Sequence, residues 1–277
     1  MTKVRAAVLL LALSGTAPAA RAQAADTTSA AWVVEMFYAR PSFPGLAAHV
    51  TGEYAQNYAD AATMGSRLPP EVVVTSRPLR LEADLAIFVT HLRDSERARD
   101  WYTFLRREGG AWKISEVRSF VPQPIYEALV QDWEERRSRR DLPDSLVSVL
   151  ETIRLTAASD SALAAYLLAH EPAFRALAER FAAARELTSL SMVSGSTGNV
   201  TPADTHALKE ALHALHLSGV LRRQEEPGCL FLVIGGLGDN EVGYIHAPPG
   251  CTPPLISPGG YIYVEQVAPG WYLYRTT

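Results

Sequence analysis

The sequence predicts an α+β fold, and three observations carry that expectation. Helical periods and β-rich runs fall in separate stretches instead of alternating, which disfavours a parallel sheet wound through helices. The helical stretches lie near 30–63 and 125–216, and the β-rich ones near 84–120 and 220–276. Short turn signals separate successive strands, Gly109-Gly110 and Pro269-Gly270 among them, as antiparallel hairpins require.

The chain opens MTKVRAAVLLLALSGTAPAARAQAAD. Lys3 and Arg5 precede an apolar core from Ala6 to Leu13, and Ala22-Gln23-Ala24 supplies small residues around a cleavage site. This layout predicts a signal peptide over residues 1–24, cut after Ala24, and so a periplasmic or secreted protein. Its apolar core is too short to span a bilayer, which takes roughly 20 residues. Later apolar runs are soon interrupted by charge, polar residues or proline, so no membrane span is expected. Removing residues 1–24 takes away Lys3, Arg5 and Arg21 and no acid, which moves the net charge from −4 to −7. That acidity argues against a nucleic-acid partner, which calls for a basic face. The 253 residues that remain suffice for one large domain or two small ones.

In order, AAWVVEMFYAR from Ala30 to Arg40 repeats apolar residues at helical spacing, with Ser29 available as N-cap and Pro41 as the stop. A second helix is expected from Leu46 to Thr63, where Leu46, Val50, Tyr54 and Tyr58 stand four apart. Strands are expected near 84–92, 99–107 and 111–120, joined in an antiparallel meander by a charged turn and by Glu108-Gly109-Gly110. The first of them is apolar on both faces, Leu85 and Ile87 opposing Ala86 and Phe88, so a second layer from the C-terminal half should cover it.

The Phe37-Tyr38 pair in the first helix and the strand text WYTFLRREGGAWKISEVRSF resemble the SnoaL-like, nuclear-transport-factor-two-like superfamily. The shared pattern falls on Leu105, Arg107, Glu108, Gly109, Gly110, Trp112, Lys113 and Ile114, and the likeness covers roughly residues 28–120. It implies a cone-shaped domain over 25–122 and little about function, because that fold hosts enzymes, binders and assembly modules alike. Enzymatic members often hold an Asp/His pair between sheet and helices, and the nearest candidates here are His91, Asp84 and Asp100. Alternation puts Leu85, Ile87, Val89 and His91 on one strand face, with His91 at the rim beside RDSERARD.

Residues 123–277 should form a helical segment closed by a five-stranded β-meander. Helices are expected at 125–140, 144–157, 160–169 and 172–187, and Ser194 to Asn199 reads as a loop. Thr201-Pro202-Ala203-Asp204 then opens a helix with Thr at the N-cap, Pro at N1 and an acid at N3. On that helix His206, Glu210 and His213 share one face, as ligands of a metal would. Leu208, Ala211, Leu212 and Leu215 occupy the opposite side, which makes the histidine face the wet one. No fourth ligand is evident, so a solvated face is the reading preferred to a metal site. Strands follow in VLRRQ, CLFLVIGG, EVGYIHA, GYIYVEQVA and WYLYRT. The chain's two cysteines, Cys229 and Cys251, should form a disulfide in an oxidising compartment, with two free thiols as the alternative.

Other motifs fail in context. Gly235-Gly236-Leu237-Gly238 lies between two strands, as a hairpin turn does and a phosphate loop does not. His170-Glu171 begins like a zinc-protease signature, but Phe174 stands where its second histidine must be. Tyr244, Tyr261, Tyr263, Trp271, Tyr272 and Tyr274 could line a sugar or peptide surface or simply pack as strand core. With no complete catalytic constellation and no cofactor motif, the leading expectation is a non-catalytic envelope binding or accessory protein. Its partner would be a small ligand or another envelope protein. The alternatives are a hydrolase or isomerase using the first-half pocket, and a structural protein pairing through its C-terminal sheet.

Overall fold

The computed structural model of the protein describes residues 29–55, 62–95, 97–138, 144–193, 195–198 and 201–277. The expected signal peptide, residues 56–61 of the expected second helix, residues 139–140 at the end of the helix expected over 125–140, and Ser194 and Asn199 of the expected loop lie outside the described residues.

Helix α1 (Ala30–Tyr38) starts where Ser29 Oγ accepts the Trp32 N–H, and it buries Val33, Val34, Phe37 and Tyr38. These side chains pack on one face of an antiparallel sheet whose order follows the chain: β1 (Val73–Leu81), β2 (Leu85–Arg93), β3 (Ala98–Glu108) and β4 (Ala111–Ser119). Strand β1 adds a fourth strand to the three expected. Pro78 cannot donate to a ladder and hides β1 in the sequence, yet β1 is an edge strand, where proline is tolerated. The pairing with β2 shifts register just after it, between Pro78 and Arg80. The helix expected from Leu46 is replaced by short 3-10 turns at Leu46–His49 and Gly52–Tyr54. The backbone there turns to the sheet instead: Thr51 N–H donates to Ile114 O at 2.8 Å, and Gly52 adopts φ +62°.

The two faces of the first sheet belong to different cores. Ala86, Phe88, Leu105, Ile114 and Val117 pack with α1. Ile87, Val89, Tyr102 and Phe104 are buried on the other side against the second half of the chain, as the doubly apolar β2 requires.

That second half begins with α2 (Gln123–Ser138), α3 (Asp144–Ala157) and α4 (Asp160–Ala183). Two helices were expected where α4 runs unbroken through Pro172. Pro172 is exposed, so the hydrogen bond it cannot make is lost on the side where water can serve the carbonyl instead. Then come β5 (Leu187–Ser191), β6 (Gly195–Gly198), α5 (Pro202–Ala214), β7 (Gly219–Leu221), β8 (Leu230–Leu237), β9 (Asn240–His246), β10 (Tyr261–Ala268) and β11 (Trp271–Thr276). The segment expected as a loop at Ser194 to Asn199 contributes β6, whose glycines and hydroxyls carry no apolar alternation to announce a strand.

These strands form one antiparallel sheet in the order β10-β11-β9-β8-β7-β5-β6. The five strands expected as a sequential meander are all present, but β11 inserts between β9 and β10. The proline-rich connection over 247–260 carries the chain past β11's place to the sheet edge before β10 begins. The Cys229–Cys251 disulfide ties the start of that connection to the base of β8. Because β11 is hydrogen-bonded on both edges, another chain cannot pair with residues 271–276.

Candidate functional site

The pairing of β2 with β3 sets His91 opposite Asp100, and the two side chains meet. His91 Nδ1 donates to Asp100 Oδ1 at 2.5 Å, with Asp100 buried and about a third of the His91 side chain exposed. Asp84, the third residue grouped with them from the sequence, is elsewhere: it is exposed in the β1–β2 turn, and its carbonyl accepts from Arg107 N–H at 3.1 Å.

The pair continues inward across the boundary between the two halves. Asp100 Oδ2 accepts the Asp160 backbone N–H at 2.6 Å, at the first turn of α4, where unpaired N–H groups and the helix dipole favour an anion. The Asp160 carboxylate takes Arg275 Nε at 2.7 Å on Oδ1 and the Tyr102 hydroxyl at 2.7 Å on Oδ2. Arg275, from the interior strand β11, also donates to Ala158 O at 2.6 Å and lies over the Phe120 ring at 4.9 Å. The Tyr102 ring packs tilted against Tyr263, whose hydroxyl donates to Glu265 at 2.5 Å, and Glu265 receives the Arg77 guanidinium. Four residues that the sequence separates by up to 184 positions therefore form one hydrogen-bonded chain, His91–Asp100–Asp160–Arg275, buried at all but its His91 end.

Burial and partners set the charges of this chain. Its own burial pushes the Asp160 carboxyl up to about 6, an effect that Asp100 reinforces and Arg275 and Tyr102 oppose. Burial pushes Asp100 the same way, but hydrogen bonds from His91 and the Asp160 N–H and the Arg275 charge outweigh it and leave that carboxyl below its ordinary value. The hydrogen bond that His91 donates to Asp100 raises the His91 imidazole, aided by the Asp100 and Asp160 charges and opposed by burial and Arg77. Two carboxyl groups thus face one arginine and one histidine, and the chain is neutral when His91 is protonated and both carboxyls are ionised.

A catalytic reading of His91–Asp100 is available in geometry, since a carboxylate orienting an imidazole is the usual arrangement of a general base. His91 lies on the sheet face turned toward α4, opposite α1, and its partner Asp100 is tied to the first turn of that helix. Asp160, Arg275 and Tyr102 were missed from sequence. The signal that could have found them is an arginine inside the apolar strand text WYLYRT, because a buried arginine demands an acid.

An open cleft is next door. A cleft of about 550 Å³ runs between the start of β3, α2 and the end of α3, lined by Arg97, Arg99, Pro124, Glu127, Glu134 and Arg154 together with Ala157 and Ala158. Its floor carbonyls are already taken: Ala157 O accepts from Gln123 Nε2 at 2.9 Å and Ala158 O from Arg275. On α5, His206 Nε2 lies 3.2 Å from Glu210, both largely exposed at 77% and 69%, and His213 is exposed too. Among the described residues no three His, Cys, Asp or Glu side chains are grouped so as to hold a metal. The aromatics Tyr244, Tyr263, Trp271 and Tyr274 are buried strand core, while Tyr261 and Tyr272 are partly exposed. Among the described residues no helix is long and apolar enough to cross a membrane. Compared with known proteins, the chain matches no family model, no curated protein and no solved structure.

Proposed function

We propose that this is an exported, non-catalytic binding or accessory protein of the cell envelope, with the cleft between β3, α2 and α3 as its ligand site. One observation carries the reading. The most reactive-looking ionisable groups, His91, Asp100 and Asp160, are bound to one another and to Arg275 across the two halves, and the 550 Å³ cleft is lined instead by the ion pairs Arg99–Glu127 and Arg154–Glu134 and by Arg97. Space of that size suits a small ligand. Export is supported by the signal-like first residues and by the Cys229–Cys251 bridge, which persists in oxidising compartments.

The test is native mass spectrometry of protein purified from its own export route without added metal. The expected spectrum shows the mature chain with one disulfide and a small organic molecule or protein partner retained. A second reading, a hydrolase or isomerase using His91 as base, is favoured by the His91–Asp100 hydrogen bond. Any turnover of a screened substrate that H91Q abolishes while the protein stays folded would replace the binding reading with that one.

A further inference from the structure

Two clefts share a corner. The 550 Å³ cleft and a second of about 200 Å³, lined by Leu68, Pro69, Val72, Leu92, Asp94 and Trp101, both include Arg97 and Arg99. Together they make a bent groove that turns around the outer end of β3. Its smaller arm is mainly apolar, with Trp101 as an aromatic wall. The larger arm has an alanine floor whose carbonyls are spent.

The cations along this groove differ in their freedom. Arg99 Nη2 is held by Glu127 at 2.5 Å. Arg154 Nη2 is held by Glu134 at 2.6 Å, and Arg154 Nη1 is held by Glu151. Arg97 is different. Its backbone N–H donates to Asp94 Oδ1 at 2.6 Å, which fixes the turn, while its exposed guanidinium has no side-chain partner among the described residues. A guanidinium presents a planar fork that fits a carboxylate in two hydrogen bonds, and here it stands where both arms meet. Of the acids on the walls, Glu127 is paired with Arg99, Glu134 shares Arg154 with Glu151, and Asp94 Oδ1 accepts the Arg97 amide N–H.

We propose that the groove binds an amphiphilic carboxylate, its anionic head on Arg97 and its apolar body against Trp101, Leu92 and Leu68 in the smaller arm. This rests on the binding reading above, extends its site past Arg97 into the adjoining smaller cleft, and names the ligand chemistry. Two sources share that chemistry, an acylated peptide with a free C-terminus and a fatty acid.

The experiment is titration calorimetry on the full mature chain with two matched pairs of probes. One pair is N-acetyl-leucyl-phenylalanine and its C-terminal amide, and the other is decanoate and decanol. The expected result is that at least one carboxylate binds tenfold or more tightly than its neutral partner, and the pair that does so identifies the source. R97Q should remove that advantage and leave the melting temperature unchanged, because among the described residues the Arg97 side chain holds no hydrogen bond or ion pair. W101A is the second variant and should weaken acid and neutral probe alike. Equal binding of acid and neutral probe, an R97Q protein that binds like the parent, or no binding of any probe at millimolar concentration each overturns the assignment. If R97Q still retains a co-purified molecule in the native spectrum, the carboxylate assignment to Arg97 falls and the binding reading stands. Turnover abolished by H91Q removes the binding reading itself.

Discussion

At the scale of single residues, the His91–Asp100 contact makes the molecule a proton-sensitive one in a defined direction. His91 has a folded-state pKa above its ordinary value, so its contribution to stability is complete below about 6.5 and is lost as pH rises through the raised value. Asp160 acts in the same sense lower down: with its carboxyl pushed to about 6, folding favours the protonated acid, and that contribution fades between about 4 and 6. Asp100 opposes both, because its lowered value gives stability that is lost on acidification below about 4. The half-buried imidazoles of His216 and His246 are lowered by desolvation and also oppose, gaining stability as pH rises toward 6.5. The raw melting curve therefore mixes signs, and the informative quantity is the difference between the parent protein and H91Q. That difference in melting temperature should be largest near pH 5 and shrink steadily to pH 8. A difference that is flat or grows with pH would show that His91 is not protonated on folding. Breaking the inner pair is costlier. D160N leaves the Arg275 charge buried without its carboxylate and should cost about 3–5 kcal/mol in urea unfolding at pH 7.

At the scale of elements, periodicity and caps made much of the structure legible, and the failures have physical causes. Helix α5 announces itself through Thr201, whose Oγ accepts the Asp204 N–H at 3.2 Å and donates to its carboxylate at 2.7 Å, and through Pro202 at N1. The cross-strand contact of His91 and Asp100 was half legible, because alternation gives the face and only register gives the partner. What the sequence could not show were bonds made between distant segments: β6 exists because β5 offers it a ladder, and the Leu46 turns exist because Ile114 takes the Thr51 N–H. Proline misled in two ways. It hid the edge strand β1, and it suggested a break in α4 that the helix does not make. Since Pro172 is exposed and interior to α4, replacing it should restore the missing backbone hydrogen bond without touching the core. P172A is expected to stabilise by about 1–3 kcal/mol, less whatever freedom the unfolded chain regains. Chemical denaturation with an unchanged m-value would check it, and a destabilised P172A would mean that α4 relies on the bend proline permits.

At the scale of the whole molecule, the boundary near residue 122 is a change of sequence character, but the packing runs across it. Ile87, Val89, Tyr102 and Phe104 from the first sheet share one buried cluster with Leu163, Leu167, Phe174 and Leu177 of α4 and with Trp271 and Leu273 of the second sheet. The seam is polar as well as apolar. Gln123 Nε2 ties Ala98 O at 3.1 Å to Ala157 O at 2.9 Å, and Asp160 holds Tyr102 and Arg275 from opposite sides. Cutting there would uncover an apolar sheet face and strand Asp100 without its helix N–H, and burying apolar area is the main force available to hold a sheet of four strands together. Residues 25–122 produced alone should therefore bind a hydrophobic dye and lack a cooperative thermal transition, while the full mature chain unfolds in one step. Scanning calorimetry decides between this and independence. A fragment that melts cooperatively, close to the temperature of the full chain, would mean that the shared cluster adds little and that the halves fold as separate units. A single transition for the full chain with none for the fragment would mean that the second half is the missing wall of the first, and that the groove beside Arg97, built from β3 on one side and α2 and α3 on the other, exists only when both are present.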